Sequence, residues 1–501
     1  MASPQFGALL AALVIVCAAF GSASAQCQLT KLRASDGAAF DEFGAAVAID
    51  GGLIVIGAPK DDPMGSDSGA AYVFRFVGTE WQEEAKLVPS DGVQNDLFGA
   101  AVAVSGDVIV VGAYAGVSLG SLRGASYVFR RVGGIWVEEA ILTPIAPTLD
   151  DSYGAAVAVA GDLIAVGDPG NPVFASPPGR VFLYRRTAGV WILETTIFAS
   201  NGHVDDGFGT SLACLGGDVV VGAPTLSAAA LEAGGVYVFA QDGGGTWTES
   251  ALAAGVAVPY GHLGHALAAA PNLIAASDRP VAPGVGSFDV GSVFVFRSRT
   301  AGVWELQSLL EAADAVPGEG FGQSVAVSID RVLTGAYLDE NGSGSAYLFG
   351  ELGPGWPQLA KLRANDAALS DNFGDALAMS GETLVITAPK NDDDGPNSGC
   401  AYVYRLESVP AEFLRGDANG DLAVNIGDAI WLLSYFFTDG APPPCAKAGD
   451  SNHDSALDLG DAIYVLNYLL LAGSPPAAPF PSCGTDPTFS SLCCDPLVSC
   501  P

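Results

Sequence analysis

Two acidic segments near the C-terminal end have the residue types and spacing that could do chemistry. One runs from Asp417 to Asp428 and the other from Asp450 to Asp461, and an apolar run follows each. Both place side-chain oxygens at positions 1, 3, 5, 9 and 12 of the segment. The ten residues are Asp417, Asn419, Asp421, Asn425, Asp428, Asp450, Asn452, Asp454, Asp458 and Asp461. Oxygen-only ligands at this spacing, at the start of a helix, are typical of a calcium loop.

The duplication makes the signal more specific than one loop would be, although an acidic turn without metal is the alternative. Ala423 and Ala456 would supply backbone carbonyls at position 7. Without a cation the carboxylates would repel one another at close range. Position 6 is usually Gly because the turn there is left-handed, but here it is Leu422 and Ser455. We therefore expect a strained turn, with weakened affinity in the first loop.

The chain before these loops repeats with a period of about 55 residues, a length typical of repeat architectures. Three landmarks share the period: a Gly after an apolar residue, an aromatic pair two residues apart, and a later Trp. The glycines are Gly44, Gly99, Gly154, Gly209, Gly264, Gly322 and Gly374. Each unit reads as four short strands, which cannot close a core alone and must pack against copies.

These units resemble a known family, the FG-GAP repeat of integrin alpha-chain β-propellers and many secreted bacterial proteins. Phe43-Gly44 followed by Gly57-Ala58-Pro59 carries the resemblance, which covers about residues 27–407. Tyr153-Gly154 and Leu263-Gly264 replace Phe-Gly in two units. The resemblance implies a mainly β fold, a seven-bladed β-propeller with four-stranded blades.

The first strand of the exported chain should close the ring. Only six units are followed by a Trp strand, and none follows Tyr404. Residues 27–37 match the end of a Trp strand, as in residues 85–92. The N-terminal strand is therefore predicted to complete the last blade, which hides two sheet edges.

The loops after Gly-Ala-Pro concentrate carboxylates in two units. They are residues 60–67 and 391–395. Integrin propellers bind calcium in such loops through alternating Asp residues, but Asp392-Asp393-Asp394 is a run. Both a solvated turn and a further calcium ion in the propeller loops stay open.

The paired acidic loops resemble a second family, the type I dockerin, an EF-hand-like module that binds cohesin partners. The resemblance implies that the ten residues above hold two calcium ions. Positions 10 and 11 face the partner in dockerins, and here they are Ile426-Gly427 and Leu459-Gly460. The implied partner surface is apolar and similar in both halves. The apolar runs 429–433 and 462–466 are expected to be helix core.

Composition narrows the classes of partner. The 501 residues carry a net charge of −34 at pH 7, with only 21 Lys and Arg. Such a chain repels nucleic acid and anionic membrane surfaces. It suits cation binding or an extracellular surface, and adaptation of the source to salt is an alternative reading.

The first 25 residues predict a secretory signal peptide. Their apolar run, from Gly7 to Phe20, ends before the small-residue site Ala23-Ser24-Ala25, although no Lys or Arg precedes Lys31. Lipid attachment at Cys17 is the alternative. The run is too short to span a membrane comfortably, so the protein is expected to be secreted or at the cell surface.

The predicted domains follow from these patterns. They are the signal peptide 1–25, the propeller 26–407, a linker 408–414, the dockerin-like module 415–474 and a Pro/Cys-rich tail 475–501. Cys214 and Cys400 are expected to be buried and unpaired. Five cysteines cluster at the C-terminal end, at Cys445, Cys483, Cys493, Cys494 and Cys500. One of the five must pair elsewhere, for which Cys27 is a candidate, or stay free.

Catalytic signals are sparse, and we predict no catalytic residues. Tyr260, His262 and His265 could act as base and acid on a polysaccharide, but they lie in the most degenerate unit. The prediction is a secreted, non-enzymatic binding or adhesion protein. Its propeller would take a glycan or protein ligand, and its dockerin would attach to a cohesin-like or cell-surface partner. The alternative is a polysaccharide-binding or polysaccharide-degrading component, a hydrolase or lyase, tethered through the dockerin.

Overall fold

The computed structural model describes most of the chain. The described residues are 26–114, 124–144, 152–170, 178–227, 232–252, 261–278, 290–300, 302–353, 355–406, 412–438, 440–454, 457–485 and 494. The predicted signal peptide lies outside them, as do Tyr260, Ser455, Ala456, Cys493 and Cys500.

Seven four-stranded antiparallel sheets form the body of the molecule. The first strand of the described chain is β1 (Gln26–Leu32). Blades 1 to 3 comprise β2 (Ala46–Asp50), β3 (Leu53–Ala58), β4 (Ala70–Val77) and β5 (Glu80–Leu87); β6 (Ala101–Ser105), β7 (Val108–Ala113), β8 (Ala125–Val132) and β9 (Ile135–Leu142); and β10 (Ala156–Ala160), β11 (Leu163–Asp168), β12 (Arg180–Thr187) and β13 (Val190–Ile197).

The remaining blades repeat the same order, with a single helical turn inserted in blade 6. Blades 4 and 5 comprise β14 (Ser211–Leu215), β15 (Asp218–Ala223), β16 (Gly235–Gln241) and β17 (Trp247–Leu252); and β18 (Leu267–Ala270), β19 (Leu273–Asp278), β20 (Ser292–Thr300) and β21 (Val303–Leu310). Blade 6 comprises β22 (Phe321–Ser328), β23 (Arg331–Ala336), the turn α1 (Asp339–Gly342), β24 (Ser345–Gly350) and β25 (Gln358–Leu362). Blade 7 comprises β26 (Leu377–Ser380), β27 (Thr383–Ala388), β28 (Cys400–Leu406) and β1.

The first strands of neighbouring blades contact one another all the way round, and β26 contacts β2. The ring is therefore closed. Its last blade takes β1 as the outer strand, paired antiparallel to β28 from Gln26 opposite Leu406 to Leu32 opposite Ala401. The predicted closure by the N-terminal strand is confirmed, as are the seven blades.

Aromatic side chains fill the spaces between blades, as expected from their large apolar area. Phe43 lies edge-on to Tyr72 and Phe74, with ring centroids 5.4 and 6.1 Å apart. The same cluster includes Val385 and Val403 of blade 7. The arrangement recurs at Phe98, Phe208, Phe321 and Phe373.

A glycine on the second strand of a blade marks where the next blade comes closest. A Cβ built on Gly167 would overlap the carbonyl oxygen of Gly209, and the same conflict recurs between Gly57 and Gly99. In blades 5 and 7 this glycine is replaced by Ser277 and Thr387. Their hydroxyls bridge to the backbone of Ala266 and Ala376 instead. The substitutions are therefore accommodated by hydrogen bonds and do not break the ring.

The C-terminal module consists of the described residues from 412 onward. Its elements are β29 (Glu412–Phe413), α2 (Ile426–Phe437), α3 (Ala446–Gly449), α4 (Leu459–Leu471) and β30 (Gly484–Thr485). Ala418, Leu432 and Ala462 form a small core between α2 and α4. The predicted helix-core role of the two apolar runs is confirmed for the buried residues Ala429, Leu432, Ala462 and Val465. The prediction is wrong for Ile430 and Ile463, because these side chains lie on the outer faces of the helices and are exposed. No helix among the described residues is long and apolar enough to cross a membrane.

Segments that the sequence assigned to a linker and a tail make contacts inside this module. β29 pairs with β30, and a disulfide joins Cys445 to Cys494. Cys483 is also disulfide-bonded. In the propeller Cys214 and Cys400 are unpaired, as predicted, although only Cys400 is fully buried.

Replacing Gly167 with Ala should destabilise the propeller, because the added methyl must push Gly209 of the next blade away. Overpacking of this kind costs about 1–3 kcal/mol of unfolding free energy. Thermal and denaturant unfolding of the full chain would measure it. Gly217→Ala is the matched control, since a Cβ there meets nothing within 4 Å. Equal stability of the two variants would contradict the close approach.

Candidate functional site

Each acidic loop ends in a helix whose first turn it caps. Asn425 at the start of α2 accepts a hydrogen bond from Gly427 N at 2.7 Å, and Asp458 at the start of α4 accepts one from Gly460 N at 2.6 Å. Asp428 and Asp461 accept hydrogen bonds from the backbone N–H of the capping residue, which completes a capping box in both helices. Position 9 and position 12 are thus fixed by helix formation itself.

The two loops fold through the same hydrogen bonds. Position 5 donates its backbone N–H to position 1, from Asp421 to Asp417 and from Asp454 to Asp450, at 3.1 Å in both loops. Position 3 donates to the carboxylate at position 12, over 3.2 Å in the first loop and 3.3 Å in the second. The side-chain amide at position 3 donates to the carboxylate at position 5 in both loops. The structure therefore brings the ten predicted residues together as two matching sets of five.

Several of these carboxylates are removed from water. Asp428 and Asp461 are fully buried, and burial raises the pKa of both to about 6, assisted by the charge of Asp417 and Asp421 in the first loop and of Asp450 in the second. Burial and the charge of Asp421 also raise the pKa of Asp417. Backbone N–H donors offset part of this, but the negative charges still face one another at close quarters.

The donor set suits a hard cation. It consists of carboxylate and amide oxygens, with the carbonyl of Ala423 held at position 7 by Asn425 at 3.0 Å. Within the described residues, no three His, Cys, Asp or Glu side chains already converge in the arrangement of a metal site. Any ion would rely on the Asn and carbonyl oxygens beside the carboxylates. Ala456, the expected position 7 of the second loop, lies outside the described chain.

Position 6 of the first loop has the predicted left-handed backbone. Leu422 has φ +67°, and its side chain is 47% exposed. A leucine in this region is strained, because its Cβ crowds the following carbonyl. The strain expected from the sequence is confirmed at Leu422.

The module also exposes a duplicated apolar surface. Ile426 and Ile430 on α2 are 52% and 59% exposed, and their counterparts Leu459 and Ile463 on α4 are 42% and 48% exposed. Position 10 of each loop thus points away from the small core, as predicted for a partner-facing residue. Four large aliphatic side chains in one small module form the kind of apolar patch that often marks an interaction site.

Carboxylates of the propeller loops are paired with lysines. The Nζ atom of Lys86 lies 2.7 Å from both Asp36 and Asp61. The hydroxyl oxygen of Tyr72 lies within hydrogen-bond distance of the same two carboxylates, and its single proton can be donated to either. Burial alone would lower the pKa of Lys86, but the two carboxylates outweigh burial and raise it. The ammonium therefore offsets the charge of Asp61, one of the loop carboxylates considered for a bound cation. The further calcium ion in the propeller loops stays a prediction.

The same cluster occurs in three consecutive blades. Lys31 lies 2.7 Å from Asp366 and 2.6 Å from Asp393, below Tyr402. Lys361 lies 2.7 Å from Asp314 and 2.6 Å from Asp339, below Tyr347. In the other four blades the residue opposite the aromatic is Ile141, Thr196, Ala251 or Leu309. The lysine clusters thus flank the junction where the ring closes.

His262, one of the residues considered for catalysis, occupies a position that other units of the repeat share. His262 is buried with φ +57°, and Glu42, Leu97 and Asn372 have the same left-handed conformation one residue before Phe-Gly. Its Nε2 atom lies 3.6 Å from a carboxylate oxygen of Glu232. Tyr260 lies outside the described residues. The backbone conformation of His262 is therefore set by the repeat.

Comparison with known proteins identifies the repeats. The FG-GAP repeat family matches residues 27–74, 81–129, 191–239, 304–349 and 356–404. The chain carries FG-GAP repeats. Each matched FG-GAP segment starts on the outer strand of one blade and ends on the third strand of the next, which is why the ring needs β1 to close. An FG-GAP propeller of this kind fits a binding or adhesion role. No family match covers the acidic loops, and no curated protein matches the chain.

Sequence reasoning missed the lysine clusters. Lys31 and Lys86 occupy equivalent positions one FG-GAP unit apart, and each lies opposite a tyrosine. This register was the available signal, but pairing with two loop carboxylates depends on how neighbouring blades meet.

Replacing Lys86 with Met should destabilise the FG-GAP propeller, since two carboxylates lose their shared partner. We expect a loss of about 1–3 kcal/mol in unfolding free energy, measured by denaturant unfolding of the full chain. Lys60→Met is the matched control, because Lys60 forms an exposed pair with Glu42. A Lys86→Met chain as stable as this control would contradict a structural role for the cluster.

Proposed function

We propose that this chain is a secreted, non-enzymatic extracellular binding or adhesion protein. Its FG-GAP propeller presents ligand-binding loops, and its C-terminal module acts as a dockerin-type anchor that takes up calcium and docks on a cohesin-like partner. The observation that carries the proposal is the duplication in the module: two loops with the same hydrogen bonds, each leading into a capped helix with the same exposed aliphatic positions.

Calcium would supply the positive charge that each loop lacks. In the first loop Asp417, Asn419, Asp421, Asn425 and Asp428 would hold it, and in the second Asp450, Asn452, Asp454, Asp458 and Asp461. In each loop the buried carboxylate, Asp428 or Asp461, is repelled by the other carboxylates of that loop. A bound ion would attract it instead. Both residues also hold the backbone of a helix-capping residue. The helices and their apolar faces therefore depend on the geometry of the loops.

The exposed aliphatic pairs are the docking surface in this proposal. Ile426 and Ile430 on one helix, and Leu459 and Ile463 on the other, give two equivalent apolar faces. A partner with a complementary apolar surface would gain roughly 25 cal/mol for each Å² of apolar area that it buries. Because binding requires the helices to be in place, attachment would depend on calcium.

Export is supported by the disulfide chemistry of the module. Cys445 and Cys494 are bonded, and Cys483 is disulfide-bonded too. Such bonds form and persist in oxidising compartments. Together with the predicted signal peptide, they favour a secreted or cell-surface protein.

Calcium binding is tested by titration calorimetry on the full chain. We expect two binding events that are lost one at a time in Asp428→Asn and Asp461→Asn, because each substitution removes a buried ligand charge. Asp330→Asn, at an exposed pair with Arg331, is the matched control and should keep both events. Absence of any calcium-dependent heat from the wild-type chain would end the proposal of a calcium anchor.

A second candidate function is glycan binding at the end of the ring where the first strand of each blade begins, here called the mouth. The residue after Phe-Gly is half-buried in every blade. It is Ala45, Ala100 and Ala155 in blades 1 to 3 but Thr210, His265, Gln323 and Asp375 in blades 4 to 7. Gln323 donates to Asp375 at 3.1 Å, and its carbonyl oxygen is buried without a partner among the described atoms. One half of the mouth is thus polar and the other apolar.

A neutral glycan panel with product analysis tests this candidate and the non-enzymatic reading together. Release of new reducing ends would contradict the non-enzymatic proposal. If a glycan binds at the mouth without turnover, Gln323→Ala should weaken binding at least roughly tenfold, since a buried hydrogen-bonding partner is worth more than 1 kcal/mol. Thr248→Ala, on an outer strand, should leave the affinity unchanged.

A further inference from the structure

The pseudo-symmetry of the C-terminal module is broken by one buried side chain. Arg415 is fully buried. Its guanidinium crosses from the start of the first loop to the start of the second, where Nη1 donates to the carbonyl of Asp450 at 2.9 Å and lies 3.7 Å from the carboxylate of the same residue. It also donates to the carbonyls of Lys447 and Ala478, at 3.3 and 3.1 Å. One buried cation therefore binds both the backbone and the carboxylate at the start of the second loop.

Within the described residues, no ion pair of this kind reaches the carboxylates of the first loop. The residue that corresponds to Arg415 in the second half is Ala448, because both stand two positions before the first Asp of their loop. Ala448 occupies the symmetry-related place, where its carbonyl accepts from Gly416 N at 2.7 Å. A methyl group cannot pair with Asp417 in the way that Arg415 pairs with Asp450. The duplicated loops thus differ in their internal charge.

The charge count of the loops fits this difference. The first loop has three carboxylates, and the second has four, because Asp458 stands where the first has Asn425. A buried ammonium or guanidinium beside a carboxylate offsets one negative charge where water is excluded. With Arg415 included, the two loops carry the same net charge, so the asymmetry between them lies in the buried hydrogen bonds that Arg415 gives to the second loop. A non-glycine residue has a left-handed backbone in each loop, Leu422 in the first and His453 in the second.

We propose that Arg415 is a built-in counter-cation that keeps the second loop and α4 folded without calcium, whereas the first loop and α2 become fully ordered only when calcium binds. The half of the module that contains α4 would then be folded without calcium, and the half that contains α2 would be fully folded only with calcium. The part concerning the first loop rests on the proposed calcium function, and the part concerning Arg415 does not.

Hydrogen exchange read by mass spectrometry on the full chain tests both parts. In chelating buffer, amides of α4 should be protected and those of α2 should exchange faster; calcium should then slow exchange in α2 far more than in α4. Equal protection of the two helices in chelating buffer would overturn the proposal. If calcium changes neither helix, the calcium function fails while the comparison below still judges Arg415.

Arg415→Met should speed exchange in α4 on the order of 100-fold in chelating buffer, as expected for breaking a buried pair. Arg415→Lys keeps the charge and should lose much less. Arg405→Met, at an exposed pair in the propeller, is the control for a general loss of arginine. The Arg415→Met chain should regain protection of the α4 amides at saturating calcium. If α4 stays unprotected there, Arg415 is needed for folding whether or not a cation is bound, and the proposal is overturned.

Double substitutions separate charge from hydrogen bonding. In an Asp450→Asn background Arg415→Met should cost less than roughly tenfold in α4 exchange, because no facing charge is left uncompensated. In the matched Asp417→Asn background the full loss on the order of 100-fold should persist, since that carboxylate does not face Arg415. An equal loss in both backgrounds would show that charge compensation is not the role of Arg415.

Discussion

Seven blades fit around one axis here because the backbone of each blade passes close to that of the next. The carbonyl of the glycine after the apolar residue, Gly209 for example, comes close enough to Gly167 of the preceding blade to leave no space for a side chain. This approach packs the first strands around the axis and sets the widening spaces between blades, which the aromatic side chains then fill. Ser277 and Thr387 show that a small side chain can replace this glycine. Each hydroxyl forms a hydrogen bond with the backbone, which compensates for the less close packing.

The second organising factor is a shortage of cations. With 21 Lys and Arg against 55 Asp and Glu, the chain places several of its cations between carboxylates. Lys31, Lys86 and Lys361 each join two carboxylates in the blades around the closure. On the outer strands Glu84 is shared by Arg75 of its own blade and Arg131 of the next, at 2.6 and 2.7 Å. Partly buried pairs of this kind are screened less by salt than surface pairs. The cations therefore join elements that are distant in sequence.

The architecture could be predicted from the sequence because each repeat unit carries the residues that its own strands and turns need. The strand count, the closure by β1 and the capped helices all follow from short patterns that the same residues carry in each copy. The two acidic loops were found for the same reason, since all five oxygen-bearing positions of each lie within twelve residues.

What sequence did not show depends on contacts between distant segments. The pairing of Lys86 with Asp36 joins an outer strand to a connection between blades. Arg415 reaches Asp450 and Ala478, so a residue placed at a domain boundary and a residue placed in a tail prove to belong to one core. A repeat period shows what the copies share, whereas Arg415 stands at a position where its copy, Ala448, differs.

The small core of the C-terminal module explains why such single positions matter. Its buried apolar residues at the helices are small in number, Ala418, Ala429, Leu432, Ala462 and Val465, so staples must supply part of its stability. The disulfide between Cys445 and Cys494 and the pairing of β29 with β30 fasten its ends. A cation present at about 100 times its dissociation constant adds roughly 2.7 kcal/mol per site. That amount is a large fraction of the stability of a domain this size, so under the proposed function calcium would decide whether a loop without an internal cation is folded.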